Sequence, residues 1–165
     1  MIIAIDVFYK SDCQAKAVAI LFDDWYSQNI KRVYSLDLEH ISEYKSGEFY
    51  KRELPCIVQL LELIEEEYDY IIIDGYVYLG EEKKAGLGRH LWNALSIKRP
   101  IIGVAKNYFK GTSEDCFVLR GSSEKPLYIT AIGIPHHDAV RYISEMYGEH
   151  RMPYMLKAVD LLSRK

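Results

Sequence analysis

Two strand-like runs in this chain each carry one aspartate among apolar residues. Residues 2–9 are largely apolar around Asp6, and residues 70–73 lead directly into Asp74 and Gly75. Burying a lone carboxylate is costly, because it loses its hydration. Either each aspartate caps a turn or pairs with a cation, or the two share a divalent cation at one edge of a sheet.

The order of the other elements predicts the kind of sheet. Strand patterns over residues 15–22 and 31–38, joined by short turns, favour an antiparallel meander. The later predictions are helices over 54–64, 84–95, 137–146 and 154–163, and strands over 70–73, 100–105, 115–119 and 127–131. Pro55 fits only the first turn of its helix. We therefore predict one α/β or α+β domain over residues 1–165, with a partly parallel mixed sheet flanked by helices.

The carboxyl ends of parallel strands are where such sheets bind ligands. If the strands of Asp6 and Asp74 are neighbours, the two carboxylates could share a cation, and Glu53 at a helix start could be a third ligand. Mg²⁺ and Mn²⁺ prefer carboxylate and water oxygens. A cation held in this way activates water and stabilises the charge that develops on a phosphodiester. Sequence spacing alone does not establish that the three residues are close.

Composition narrows the function classes. The net charge of −3 argues against a nonspecific, high-affinity polyanion binder, although local basic residues can still hold phosphate. Cys13, Cys56 and Cys116 form no close-spaced pair, which predicts reduced thiols and a cytoplasmic protein. No apolar run reaches the roughly 18 residues of a membrane span. The first residues are typical of a strand, and not of a signal peptide.

Five blocks of the sequence resemble the endonuclease V family. Residues 5–9 (IDVFY) are similar to its first-strand aspartate motif, and residues 44–55 (YKSGEFYKRELP) match Y-I-P-G-F-L-x-F-R-E-x-P at five positions. Residues 73–75 (IDG) with 83–91 (KKAGLGRHL) resemble V-D-G…R-R-L-G-L-A-S-H-L. Residues 100–106 (PIIGVAK) are close to P-T-I-G-V-A-K, and Arg151-Met152-Pro153…Asp160 is similar to R-L-P-E-P…A-D.

The resemblance implies a ribonuclease H-like fold and a metal-dependent endonuclease of DNA repair. Such an enzyme cleaves the phosphodiester backbone 3′ to deoxyinosine or inosine in DNA or RNA. Asp6, Glu53 and Asp74 would bind Mg²⁺, with Mn²⁺ as a substitute, and Lys106 would contact the scissile phosphate or the attacking water. We expect no membrane partner and a monomer.

The same resemblance assigns substrate contacts. Gly47, Phe49, Gly86 and Leu87 would form the pocket for a flipped inosine base, whose weak pairing lowers the cost of unstacking it. Tyr44 would belong to the wedge that separates the strands.

Two departures from the family pattern leave alternatives open. The wedge P-Y-I-P keeps only Tyr44, which makes single-stranded DNA or RNA a more plausible substrate. The G-H-R segment fits poorly, so that either His136 or His137 reaches the metal site or both are surface residues at a helix start. The alternative functions are a nuclease of relaxed or RNA-directed specificity and a catalytically weakened nucleic-acid-binding protein.

Overall fold

The computed structural model describes residues 1–39 and 49–165, with only the backbone of Phe49. Tyr44 and Gly47, two of the predicted substrate contacts, lie outside the described residues. So does the side chain of Phe49, whose backbone begins the first helix.

A seven-stranded mixed sheet forms the centre of the fold. Its strands lie in the order β3-β2-β1-β4-β7-β9-β8. β1, β4 and β7 are parallel, and the remaining pairs are antiparallel, as the predicted meander requires. The strands are β1 Ile2–Ser11, β2 Gln14–Phe22, β3 Arg32–Glu39, β4 Tyr70–Asp74, β7 Ile101–Ala105, β8 Phe117–Val118 and β9 Leu127–Ile132, with a separate hairpin of β5 Tyr78–Leu79 and β6 Lys84–Ala85.

Helices cover both faces of this sheet. They are α1 Phe49–Glu62, α2 Leu87–Ala94, α3 His136–Glu145 and α4 Tyr154–Ser163. Because side chains alternate along a strand, Ile3 and Ile5 face α1 and α2 in one apolar layer, whereas Ile2 and Ala4 face α3 and α4 in the other. No helix within the described ranges is long and apolar enough to cross a membrane.

Two local predictions were wrong. α1 begins at Phe49, so that Pro55 lies inside the helix and not in its first turn. Proline removes a backbone donor there, but the helix continues because Cys56, Ile57 and Leu60 bury its apolar face against the sheet. In addition, Lys84–Ala85 forms the second strand of the small hairpin, and α2 begins only at Leu87.

Candidate functional site

Register brings the two strand aspartates side by side. β1 and β4 are adjacent and parallel, and their last paired residues are Ala4 and Ile72. Asp6 and Asp74 each lie two residues further along, at the same edge of the sheet and on the same face. Asp6 is buried, whereas the side chain of Asp74 is 41% exposed. The two strands are therefore neighbours, which is the condition for a cation shared by Asp6 and Asp74.

A small cavity lies between these aspartates and the last helix. Its polar lining consists of Asp6, Asp74, Lys106 and Asp160. The Nζ atom of Lys106 lies 3.4 Å from Oδ2 of Asp74. With a volume of about 20 Å³, the cavity has room for one water molecule or one small ion.

Asp160 received no role from sequence reasoning. In the sequence it is only one residue of the C-terminal block, because the pattern there does not show that α4 packs against β1. The structure places its side chain, 14% exposed, in the same cavity as Asp6. Arg164 Nε lies 3.0 Å from one of its oxygens and Lys157 Nζ lies 3.9 Å from the other.

Glu53 approaches the same edge from the opposite side of the sheet. It is carried by the second turn of α1, and its side chain is buried. Glu53 lines a second, more open cavity together with Asp74 and Lys106. Burial raises the pKa of Glu53 well above its ordinary value, and the negative charges of Asp74 and Asp6 raise it further. Asp74 and Lys106 therefore connect the two cavities.

The carboxyl of Asp6 is also poorly stabilised as an anion. Burial raises the pKa of Asp6 to about 6, and the nearby charges of Asp74 and Asp160 act in the same direction. The hydroxyl of Ser163 opposes this shift through a hydrogen bond of 2.6 Å, and Lys106 opposes it more weakly. The carboxyl groups of the site therefore oppose one another's negative charge, and Lys106, Lys157 and Arg164 offset this only in part.

The turn after Asp74 is fixed by close backbone packing. Gly75 has a φ of +135°, which only glycine adopts readily. The backbone N–H of Val77 donates to Oγ1 of the buried Thr130 at 2.8 Å. A Cβ on Gly103 would lie 2.5 Å from the carbonyl oxygen of Gly75, so glycine is required where this turn crosses β7. These contacts hold Asp74 at its position.

His136 and His137 line neither of the two cavities that hold the carboxylates. Both follow the end of β9, and β9 runs antiparallel to β7, so they begin α3 at the other edge of the sheet. Nε2 of His136 lies 2.8 Å from the carbonyl oxygen of Ile129, and the ring is half-buried. The His137 side chain is 85% exposed beside Asp138. A role for either histidine in the metal site stays a prediction.

Gly86 and Leu87 pack against the turn that follows Asp74. The N–H of Gly86 donates to the carbonyl of Val77 at 2.9 Å, and its own carbonyl accepts from the N–H of His90 at 3.1 Å. The Leu87 side chain is buried in the apolar layer that faces α1 and α2. Their predicted contact with a base stays a prediction.

The donor chemistry of this edge fits a hard divalent cation. All four acidic side chains offer oxygen ligands, which Mg²⁺ and Mn²⁺ prefer, and the small cavity has the volume of one ion. Within the described ranges no three Asp, Glu, His or Cys side chains are already arranged as a metal site. The excess negative charge is nevertheless what a bound cation would neutralise.

Comparison with known proteins agrees with this geometry. The family profile described as endonuclease V matches residues 1–161. The chain belongs to the endonuclease V family. An endonuclease V of Pyrococcus abyssi is 30% identical over 164 residues, which are 99% of this chain and 78% of that protein. An endonuclease V of Nostoc punctiforme is 28% identical over 142 residues, with 73% of this chain and 62% of that protein covered.

Solved endonuclease V structures share the fold. Human ENDOV superposes with a TM-score of 0.76 at 21% identity, over 99% of this chain and 82% of that one. The Ciona intestinalis endonuclease V, solved with a 24mer DNA that contains an inosine followed by a ribo-adenosine, superposes with a TM-score of 0.78 at 19% identity, over 99% and 84% of the two chains. The predicted ribonuclease H-like mixed sheet is thus confirmed.

Proposed function

We propose that this chain is a metal-dependent endonuclease that cuts the phosphodiester backbone 3′ to inosine or deoxyinosine. The observation that carries the proposal is the convergence of Asp6, Glu53 and Asp74 on one sheet edge beside Lys106. Membership of the endonuclease V family supports the reaction class.

The acidic side chains would hold Mg²⁺, or Mn²⁺ in its place. Asp6, Asp74 and Asp160 offer oxygens from the small cavity, and Glu53 offers its carboxylate from the open one. When bound, the cation supplies charge stabilisation for the phosphodiester and a water of lowered pKa. Asp6 must give up its proton before it can serve as a ligand, because only the carboxylate binds the metal.

Lys106 would act on the phosphate. It extends the parallel strand β7 by one residue and lies within 3.4 Å of Asp74, which keeps its ammonium group at the open cavity. A fixed positive charge at this place stabilises negative charge that develops on phosphate oxygens. Its side chain is 32% exposed, so a nucleic-acid strand that lies across this edge of the sheet can reach the ammonium group.

The proposed preference for inosine is based on what a related protein binds. A related endonuclease V was solved with inosine-containing DNA. The residues proposed to form the base pocket in this chain are Gly47, Phe49, Gly86 and Leu87, and Tyr44 is proposed to belong to the wedge that separates the strands.

Cleavage of end-labelled oligonucleotides tests the proposal. Single- and double-stranded DNA and RNA, with and without one inosine, are incubated with the protein in Mg²⁺, in Mn²⁺ and in a chelator. We expect metal-dependent cutting 3′ to inosine, which Asp74→Ala abolishes and which the exposed-site control Asp37→Ala retains. Native protein that cuts no better than Asp74→Ala would refute the nuclease assignment. Equal cutting without inosine would refute the base preference and favour a relaxed nuclease.

A further inference from the structure

We propose that Tyr147 and Tyr154 form a stacking platform for a single nucleic-acid strand that leads into or out of the site. We call these two rings the tyrosine platform. They lie near the two ends of the loop that joins α3 to α4. This inference rests on the proposed function for the identity of the strand.

Both rings are exposed to solvent. Tyr147 is 43% and Tyr154 48% exposed, and their centroids lie 5.6 Å apart at an interplanar angle of 65°. The N–H of Tyr154 donates to the carbonyl of Tyr147 at 2.8 Å, which joins the two ends of the loop. The rings border a groove of about 590 Å³. Aromatic faces of this kind stack on nucleobases regardless of sequence.

A buried arginine holds the platform loop in place. Arg120 is 5% exposed, and its guanidinium donates to the carbonyl oxygens of Ile143, Ser144, Gly148 and His150 at 2.9–3.2 Å. Four such bonds satisfy a buried cation through backbone groups. The loop is therefore pre-organised, and a strand that binds to it has less ordering to impose.

The groove and the small cavity of the candidate active site have Met152 as a common wall. Arg151, within the platform loop, donates through Nη2 to the carbonyl of Lys106 and, at 2.8 Å, to that of Pro126. The loop that carries the tyrosine platform is therefore bonded to the backbone of Lys106, which is why we infer that a nucleic-acid strand held there continues onto the platform.

The charge of the groove favours a polyanion. Among the described residues that line it, Arg151 and Lys157 are basic and Glu149 is acidic. Lys157 is 59% exposed, and its partner Asp160 lies 3.9 Å away, at the far limit of an ion pair. Exposed rings interleaved with basic side chains are the usual composition of a single-strand binding surface.

Binding measurements in a chelator separate this inference from catalysis. Fluorescence polarisation gives the Kd of the native protein and of the double variant Tyr147→Ala/Tyr154→Ala. The ligands are inosine-containing single strands of about 5 and about 15 nucleotides, which lie near the two ends of the common range of single-strand site sizes. We expect the double variant to lose at least about fivefold in affinity for the long strand, since each stacked ring contributes a measurable factor. Its affinity for the short strand should not change.

Matched variants make the result specific. Tyr147→Phe/Tyr154→Phe keeps the rings and should bind the long strand like the native protein. Tyr34→Ala removes a tyrosine from the edge strand β3, which packs in the apolar layer of α1 and α2, and should also bind normally. Equal long-strand affinity for the alanine and native proteins would overturn the platform, as would an equal loss with the short strand. Absence of cleavage by every variant in Mg²⁺ would instead count against the proposed function.

Discussion

The Ser163 hydroxyl lies 2.6 Å from Oδ2 of Asp6, so that the last turn of α4 donates a hydrogen bond into the middle of β1. Both residues are buried. The bond stabilises the carboxylate form of Asp6 against the effect of burial. Helix α4 thus brings both Ser163 and Asp160 to the candidate site.

Ser163→Ala should make metal binding more sensitive to acid. Without the hydroxyl, the pKa of Asp6 rises further above about 6, because the hydrogen bond that lowers it is gone. The pH at which Mn²⁺ affinity reaches half of its maximum should therefore be higher in the variant. Ser144→Ala, which removes an exposed hydroxyl from α3, is the control. An unchanged midpoint would show that Ser163 does not tune Asp6.

Asp6→Asn should stabilise the metal-free protein at pH 7.5. The pKa of Asp6 is about 6 when folded and 3.8 ordinarily, so its contribution to stability is fully present below pH 3.8 and lost as the pH rises through 6. The substitution removes that loss and should raise the free energy of unfolding by up to about 3 kcal/mol. Denaturant unfolding in a chelator measures the change.

The same variant should gain less stability from metal than the native protein. Mn²⁺ is expected to raise the stability of the native protein more than that of Asp6→Asn, because binding only to the folded state stabilises it. The exposed control Asp37→Asn should resemble the native protein in both conditions. A less stable Asp6→Asn at pH 7.5 without metal would contradict the account of Asp6.

Thr130→Val should loosen the turn that carries Asp74. The substitution keeps the shape of the side chain but removes the acceptor for the buried N–H of Val77, which costs about 1–3 kcal/mol. We also expect slower cleavage, since this turn follows Asp74 directly. Thr130→Ser retains the hydroxyl and is the matched comparison. Equal stability of the two variants in denaturant unfolding would refute the role of this bond.

Lys106→Met should separate cleavage from metal binding. Loss of its charge at the phosphate is expected to slow cleavage about 100-fold. Metal affinity should not fall, because the ammonium group repels a cation at the same site. Single-turnover cleavage and Mn²⁺ titration measure the two effects, with Lys31→Met as an exposed control. A variant that binds metal more weakly would place Lys106 in a different role.

Much of the sheet could be predicted from the sequence. Four strands are almost continuous apolar runs, so the run itself locates each of them in the sequence. They are β1, β2, β4 and β7. The short hairpin of β5 and β6 has no such pattern. It depends on contacts with the rest of the fold, such as the bond from Arg89 of α2 to the Tyr78 hydroxyl.

The candidate site was only partly predictable. Asp6 and Asp74 stand out because a carboxylate interrupts or ends an apolar strand. Asp160 does not, since an acidic residue on an amphipathic helix is ordinary until the packing of α4 on β1 is known. The location of His136 and His137 could not be predicted from the sequence either, because the direction of β9 decides which edge of the sheet they occupy.

The most direct test of the carboxylate site is a Mn²⁺ titration that counts bound ions by electron paramagnetic resonance at pH 7.5. It compares the native protein with Asp74→Asn and with the exposed control Asp37→Asn. The account predicts saturable binding to the native and control proteins and binding at least about 10-fold weaker to Asp74→Asn, because Asp74 faces both cavities. Binding to Asp74→Asn as tight as to the native protein would contradict it.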